Sequence, residues 1–567
     1  MNSIVSHIEP LLESAGLEGP FVFSTPPNMV MGDIALACFP FAKQLGKSPV
    51  DVAHDVQEKI TEMESDVISR VEVSGPYLNF FIERSFLASY IMEEVLEKGE
   101  DYGKHLQSKK TQILVEYGCP NPLKAFHLGH VKNLITGESV ARVLENAGYD
   151  VKRVNYQGDV GMHVAKSLWG IYNVKEEFDA LEHKTTKEKI AFLGKAYVSG
   201  SKHFEKGEKE KAEIVAYNKR VYTKDPSIQE VYKEAVAWSL TYFDEVYKEF
   251  GTHFDALYFE SQMFERGVEI VQKGLKKDVF TKSDGAIIFK GSEYGLHDRV
   301  FINSEGFPTY EAKDLALAEN HIKDFSPEKI IHVVGKEQTE YFKVVFKAME
   351  QTLPESVGKE HHIPGGFLQL KGDKKMSSRT GSVITGDTLV QITREEVENV
   401  MAESVVSNKS VVVGAVAMAA IKYTTLKSDI TKDVAFDIED AVKMHGESGP
   451  YLLYIGARIT SILHKSSGGV LADTKLYSTI TDEEKRLLLL LGQYPDITKK
   501  AAETYDPSHV ARYLFDMAQC FNTFYTKCPV LQSEEEQKQF RLSLLRCTYI
   551  VLENGLSLLG ISLVDEM

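Results

Sequence analysis

The sequence predicts a multidomain α/β protein, with a small α+β unit first, a doubly wound parallel sheet in the middle and an all-helical unit last. Three observations predict it. Residues 67–83 alternate in a strand-like way, break at Gly75-Pro76 and resume as an apolar strand. Residues 111–156 read as an apolar strand, a loop, an amphipathic helix ending at Gly148 and a second strand. Beyond about residue 390 no strand-like alternation of useful length remains.

The elements follow in order. Residues 39–60 have helical spacing, with Ser48 as an N-cap and Pro49 at the first helical position. Residues 83–103 form a helix stopped by glycine, and a lysine-rich stretch places a boundary near residue 110. A second unit spans 111–390. Its first strand, TQILVEY, is apolar and closes on Glu116, and further strand-like pieces recur at AIIFK, EKIIHVVG and GGFLQL. Residues about 175–250 are rich in Lys and Glu at helical spacing and read as a solvated helical insertion. A helical junction over 391–445 leads to a helical unit over 446–567. The GKS at 46–48 lacks the earlier glycine of a phosphate-binding loop.

Composition narrows the function classes. The 567 residues are 43% hydrophobic and 26% charged, which excludes a mostly disordered chain. Net charge is −17, so a nucleic-acid role cannot rest on bulk basicity. The excess is uneven: residues 1–110 hold 9 basic and 17 acidic side chains, residues 450–567 hold 12 and 14. Basic residues gathered on one face are therefore expected if the partner is RNA. The longest apolar run, 411–421, is short of the ~20 residues a membrane span needs and reads as a buried helix, so no membrane partner is expected. The N-terminus carries no signal-peptide pattern. Five cysteines without a C-x-x-C pair argue against zinc and a disulfide framework, and fit a reducing cytoplasm.

Two motifs carry chemistry. His127-Leu128-Gly129-His130 sits where a strand ends and a helix begins, the place where an open parallel sheet binds ligands. A helix N-terminus offers free N–H groups to phosphate, Gly129 admits close approach, and the two imidazoles can donate. Alone, the motif reads as a helix-capping histidine pair. Lys375-Met376-Ser377-Ser378-Arg379-Thr380-Gly381 is a Gly/Ser loop with cations, suited to clamping an anion. Alone, it reads as an exposed basic turn.

Together, in this order, the two resemble the HIGH and KMSKS signatures of class I aminoacyl-tRNA synthetases. The stretch from Cys119 to His130 resembles the S-P-N-x-x-K-x-x-H-x-G-H of arginyl-tRNA synthetases, and K-M-S-S-R-T-G resembles that family's form of the second motif. Residues 436–463 and the GPYLNFFIE segment resemble its helical junction and N-terminal domain, so the resemblance spans nearly the whole chain. Cys119 replaces the usual Ser, Ser378 replaces the second lysine of the general signature, and the ending LGISLVDEM departs from the family's proline-containing one.

The resemblance implies a Rossmann-like catalytic domain between a tRNA-contacting N-terminal domain and a helical anticodon-binding domain. It implies ATP with Mg²⁺, L-arginine and tRNA(Arg) as partners, in a cytoplasmic enzyme expected to be a monomer. His127, His130, Lys375 and Lys124 would act on the phosphates, with Gly129, Met376 and Ser377 at ATP. A guanidinium requires carboxylates in a planar arrangement. Glu116 closes the first strand beside the ATP loop, and Tyr310 and Asp314 share a helix face at i, i+4. The family's arginine-binding positions match Glu116, Asn121, Tyr310, Asp314 and Gln338. For tRNA, Asn79 matches an elbow-contacting position, while Tyr451, Tyr454 and Arg458 lie at helical spacing suited to stacking on bases. Phe521, Phe524 and Tyr525 read as stacking platforms or core.

Other features read as structural: His332 as a satisfied core histidine, His361-His362 as surface, residues 534–538 as a solvated helix start, Trp169 and Trp238 as packing. Competing readings are a synthetase for another amino acid, an inactive RNA-binding paralogue and a small nucleotidylyltransferase. The carboxylate pair, the intact motifs and the long helical C-terminus argue against them in turn.

Overall fold

The computed structural model describes residues 2–28, 30–105, 110–372, 384–466 and 479–567. Four strands form the N-terminal sheet: β1 (Phe23–Ser24), β2 (Ile34–Ala37), β3 (Ile68–Ser74) and β4 (Tyr77–Ile82), antiparallel in the order β1-β2-β4-β3. Gly75-Pro76 makes the β3–β4 turn, as its sequence demands. Ser48 caps the helix Pro49–Thr61 by accepting from the Asp51 amide, and Gly46 closes the preceding helix in the left-handed region, which accounts for the G-K-S run.

The central sheet contains β5 (Gln112–Glu116), β6 (Asp150–Gln157) and β7 (Ala256–Phe259). Three short antiparallel strands follow, β8 (Thr281–Ser283), β9 (Ala286–Phe289) and β10 (Arg299–Ile302), as a separate sheet. The central sheet then resumes with β11 (Lys329–Gly335) and β12 (Glu360–Gly365). Its five strands are parallel in the order β12-β11-β5-β6-β7. From β5 the chain first winds outward through β6 and β7, then returns to place β11 on the other side. The order therefore reverses between β5 and β11, and the crevice at their carboxyl ends is the switch point where such sheets bind ligands.

Both faces are covered. The helix Leu128–Asn146 packs on one with the N- and C-terminal units; the helices Glu260–Leu275, Tyr310–Phe325 and Thr339–Thr352 pack on the other. Between β6 and β7 the insertion contains helices Lys175–Asp179, Thr186–Lys206, Glu208–Tyr222 and Pro226–Glu249, with a core of its own that includes Phe178 stacked on Trp238. Trp169 is also buried, its indole donating to Glu213.

The expectation of no strands after 390 is corrected by β14 (Val434–Phe436), which pairs in parallel with β13 (Leu368–Leu370). Three residues are too few to show a period. The apolar run lies in the helix Lys409–Leu426, whose Val416, Ala417, Ala420 and Ile421 are fully buried in the shared core. The last helix, Glu535–Leu558, delivers its C-terminal carbonyls to the helix Leu128–Asn146: Ser139 donates to the Leu558 carbonyl at 2.8 Å and Arg142 to that of Ser557 at 3.1 Å. The atypical tail folds back, with Ile561 buried and Glu566 accepting from the Ser407 amide at 2.6 Å.

Candidate active site

The loop after β5 is shaped by backbone geometry. Gly118 adopts φ 80°, and Cys119 follows at φ 46°, an uncommon conformation for a side-chain-bearing residue and the kind of strain that collects at functional sites. The loop delivers Asn121, Lys124 and His127 to the carboxyl edge of the sheet. At the end of β6, Gly158 makes room for Asn121: a Cβ there would lie 2.3 Å from Asn121 Oδ1 and 2.9 Å from Glu260 Oε1.

His127 is the N-cap of the helix that follows, and His130 stacks on it with ring centroids 3.8 Å apart. The His127 amide donates to His130 Nδ1 at 3.3 Å. In a neutral imidazole an accepting Nδ1 leaves the proton on Nε2, so His130 presents one fixed donor. Burial, with the charge of Lys124 beside it, lowers His127 to about 4; burial with His127 and Lys124 holds His130 well below the usual range. Both rings are thus neutral donors at pH 7. Gly129 lets the His127 ring fold over the helix start, since a Cβ would meet its Cε1 at 3.0 Å.

A groove of about 1200 Å³ opens beside Lys124, Phe126 and His127. The helix Thr186–Lys206 lines it with Lys187, Lys195, Lys202 and Lys206, and Glu245, Glu249, Asp387, Glu395 and Arg394 complete the lining. Lys375, Met376 and Ser377, expected to close over this region, lie outside the described residues.

The second cluster is acidic. Glu116 and Asp314 are brought together from β5 and the helix Tyr310–Phe325. Burial pushes Asp314 up to about 8, the charges of Glu116 and Glu260 add to this, and a 2.6 Å hydrogen bond from the Tyr341 hydroxyl opposes it. Burial also opposes ionisation of Glu116, but the charge of His332 overrides it and holds the carboxyl below its ordinary value. Glu116 Oε2 is buried without a hydrogen-bond partner among the described residues. Glu260 is already neutralised by a buried ion pair with Lys313, and the Lys313 ammonium lies 4.4 Å from the centroid of the Tyr310 ring. Tyr310 is half exposed, and Gln338 ends the short 3₁₀ turn after β11, half-buried. The cluster therefore holds more carboxylates than cations, an arrangement that a ligand cation completes.

The tRNA expectations are partly redrawn. Asn79 is 4% exposed, inside the N-terminal sheet and close against Gly32, so its side chain is not presented to a partner. Tyr451 is 6% exposed; its hydroxyl donates to the Ala518 carbonyl at 3.3 Å and accepts from Asn522, so the ring packs and is not a stacking platform. Phe521 and Phe524 are core. Arg458 is half-buried and donates to Asn522 Oδ1 at 3.0 Å and to the Tyr454 hydroxyl, its guanidinium 4.5 Å from the Tyr454 ring centroid and 5.2 Å from that of the exposed Tyr525. His361 and His362 are not surface residues but half-buried members of β12, and His362 faces the Val334 carbonyl at 3.1 Å. Sequence reasoning missed Tyr341, Glu260, Lys313 and Glu360. Tyr341 lies three residues beyond Gln338 and could have been found from that spacing; Glu260 and Lys313, 53 residues apart, carried no local signal.

Three family descriptions match successive parts of the chain. Residues 2–82 match the arginyl tRNA synthetase N-terminal domain, residues 91–438 the catalytic domain of class I tRNA synthetases (R), and residues 452–567 the DALR anticodon binding domain. The arginine–tRNA ligase of Treponema denticola is 34% identical, over 96% of this chain and 94% of that protein; that of Clostridium acetobutylicum is 33% identical over 96% of each. The Thermus thermophilus arginyl-tRNA synthetase structure superposes with a TM-score of 0.82 over all of both chains, at 23% identity. With the catalytic-domain match over residues 91–438 and a relative 34% identical along nearly the whole chain, the protein belongs to the arginyl-tRNA synthetase family.

Proposed function

We propose that the chain attaches L-arginine to tRNA(Arg) in two steps at the β5/β11 crevice. In the first, the arginine carboxylate attacks the α-phosphorus of ATP; an oxygen–phosphorus bond forms, the bond to the β-phosphate bridge breaks, and pyrophosphate leaves. The attacking carboxylate is ionised at neutral pH, so no general base is needed, and catalysis is positioning plus electrostatic stabilisation. His127 and His130 contribute neutral N–H donors at the helix N-terminus, with Gly129 admitting the phosphates. Lys124 and Lys375 supply charge, and Met376 and Ser377 of the second motif contact ATP. ATP enters as its magnesium complex, the metal being held mainly by phosphate and water.

In the second step the terminal ribose hydroxyl of tRNA, the 2′ one by class, attacks the aminoacyl carbonyl and AMP leaves. Glu116 and Asp314 recognise the guanidinium, Tyr310 packs on the side chain's stem, and Asn121 and Gln338 orient the amino-acid end. The lysine wall of the groove receives the tRNA 3′ end, and Arg458 with Tyr454 and Tyr525 reads a base of the anticodon loop. A cytoplasmic monomer is the setting we propose; the five free thiols fit a reducing compartment.

The observation that carries this reading is the under-neutralised Glu116/Asp314 pair beside the paired imidazoles. Labelled arginine should enter acid-precipitable tRNA only with ATP. Incorporation that does not depend on ATP, or none with total tRNA, refutes it.

A further inference from the structure

His332 occupies the strand that borders the switch point. In the parallel register it stands opposite Glu116 on β5, and Glu360 of β12 stands opposite Ile330, two residues earlier on the same face. Its Nδ1 lies 3.0 Å from Glu116 Oε1 and its Nε2 lies 2.7 Å from Glu360 Oε2. All three side chains are 5% exposed. Both ring nitrogens meet a carboxylate, and a histidine that donates from both is an imidazolium.

The surroundings contain the other titratable groups that matter. The helix Tyr310–Phe325 contributes Asp314 and His321, whose Nε2 is 3.8 Å from Glu116 Oε2; β12 contributes His361 and His362. Burial keeps His321, His361 and His362 below the ordinary histidine range, so they are neutral at pH 7. The helix Thr339–Thr352 contributes the uncharged rings of Phe342 and Phe346, 5.3 and 5.5 Å from the His332 centroid. His332 is thus the local cation among Glu116, Glu360 and Asp314.

We infer that His332 is a positioning residue for arginine recognition: it clamps one oxygen of Glu116, leaves Oε2 for the substrate, and offsets one negative charge so that Glu116 stays ionised and Asp314 can ionise beside it around one guanidinium. The inference rests on the assignment of Glu116 and Asp314 to the guanidinium. Without the imidazolium, three buried carboxylates would face a single cation. Such groups take up protons instead, and a protonated carboxyl loses its charge-assisted pairing. The two glutamates hold His332 protonated to about pH 10, so the clamp persists across the working range.

The test is steady-state ATP–pyrophosphate exchange with tRNA present, on the full chain, for His332→Gln, Glu360→Gln and Glu116→Gln, with thermal midpoints measured alongside. His332→Gln should raise the arginine KM about tenfold, the worth of one charge-assisted hydrogen bond, with the ATP KM within about twofold. The acid limb of kcat/KM for arginine should move to higher pH. Glu360→Gln, which keeps an acceptor for Nε2, should act in the same direction by about threefold. A lowered midpoint with an unchanged arginine KM in His332→Gln, while Glu116→Gln raises that KM, overturns the inference and leaves the pocket assignment standing. An unchanged KM in Glu116→Gln overturns both. If His332→Gln does not fold, an unchanged arginine KM in folded Glu360→Gln is the overturning result.

Discussion

The hydroxyl of Tyr341 donates to Oδ2 of Asp314 across 2.6 Å, between two helices on the same face of the central sheet. That bond fixes one carboxylate oxygen, so the proposed contact with arginine falls to Oδ1. Asp314→Asn should raise the arginine KM about 100-fold, through loss of a charge-assisted, desolvated contact, with the ATP KM changed by no more than about twofold. Steady-state kinetics with each substrate varied checks this; equal losses for both substrates contradict the assignment.

Arginine binding should depend on pH through the same carboxyl. Asp314 is pushed up to about 8, so much of it is protonated at neutral pH, while a guanidinium favours the ionised form. Arginine affinity should therefore rise as pH increases from 6 to 8, with a proton released on binding. Calorimetry in buffers of different ionisation enthalpy reads that proton. Tyr341→Phe removes a donor to the charged form and should shift the profile to higher pH. Asp314→Asn should abolish it.

The paired imidazoles predict an acid-side stability change. His127 is lowered to about 4, so its contribution is fully present above the unfolded value of about 6.5 and is lost as pH falls through that window towards 4. His332, raised to about 10, works the other way: its contribution is present below about 6.5 and is lost as pH rises through 10. Denaturant titrations should show the unmodified chain losing about 1–2 kcal/mol more between pH 7 and pH 5 than His127→Gln. A constant difference between the two proteins would contradict the neutral assignment.

The lysine wall predicts a tRNA-specific defect. Lys195 and Lys202 are exposed on one helix and line the groove beside His127. Lys195→Glu/Lys202→Glu should raise the tRNA KM about tenfold and flatten its salt dependence, because fewer phosphates are neutralised. Aminoacylation at several salt concentrations measures it. A variant with an unchanged tRNA KM and an unchanged salt slope would remove the groove from the tRNA path.

Much of this was legible because it is local. The strand–loop–helix–strand unit from Gln112 to Gln157, the cap at Ser48 and the buried helix around Val416 follow from periodicity and capping chemistry. The placement of Glu116, His127 and His130 is legible for the same reason, since they stand at a strand end and a helix start, where a parallel sheet binds ligands. What was illegible is non-local. The pairing of β13 with β14 joins residues 66 apart, and the Lys313–Glu260 pair is made across two helices. Tyr451 and Arg458 share helical spacing, yet in a helix that is apolar on most sides spacing alone does not say which ring is packed. His332 reads correctly as a satisfied histidine, but its partners, Glu116 and Glu360, arrive from neighbouring strands and make it part of the site.

The most direct test of arginine-specific activation is ATP–pyrophosphate exchange with each of the twenty amino acids, with and without tRNA. The carboxylate pocket predicts exchange with arginine alone, and in Asp314→Asn only at about 100-fold higher arginine. Exchange driven by an apolar or acidic amino acid, or none under any condition, would contradict it.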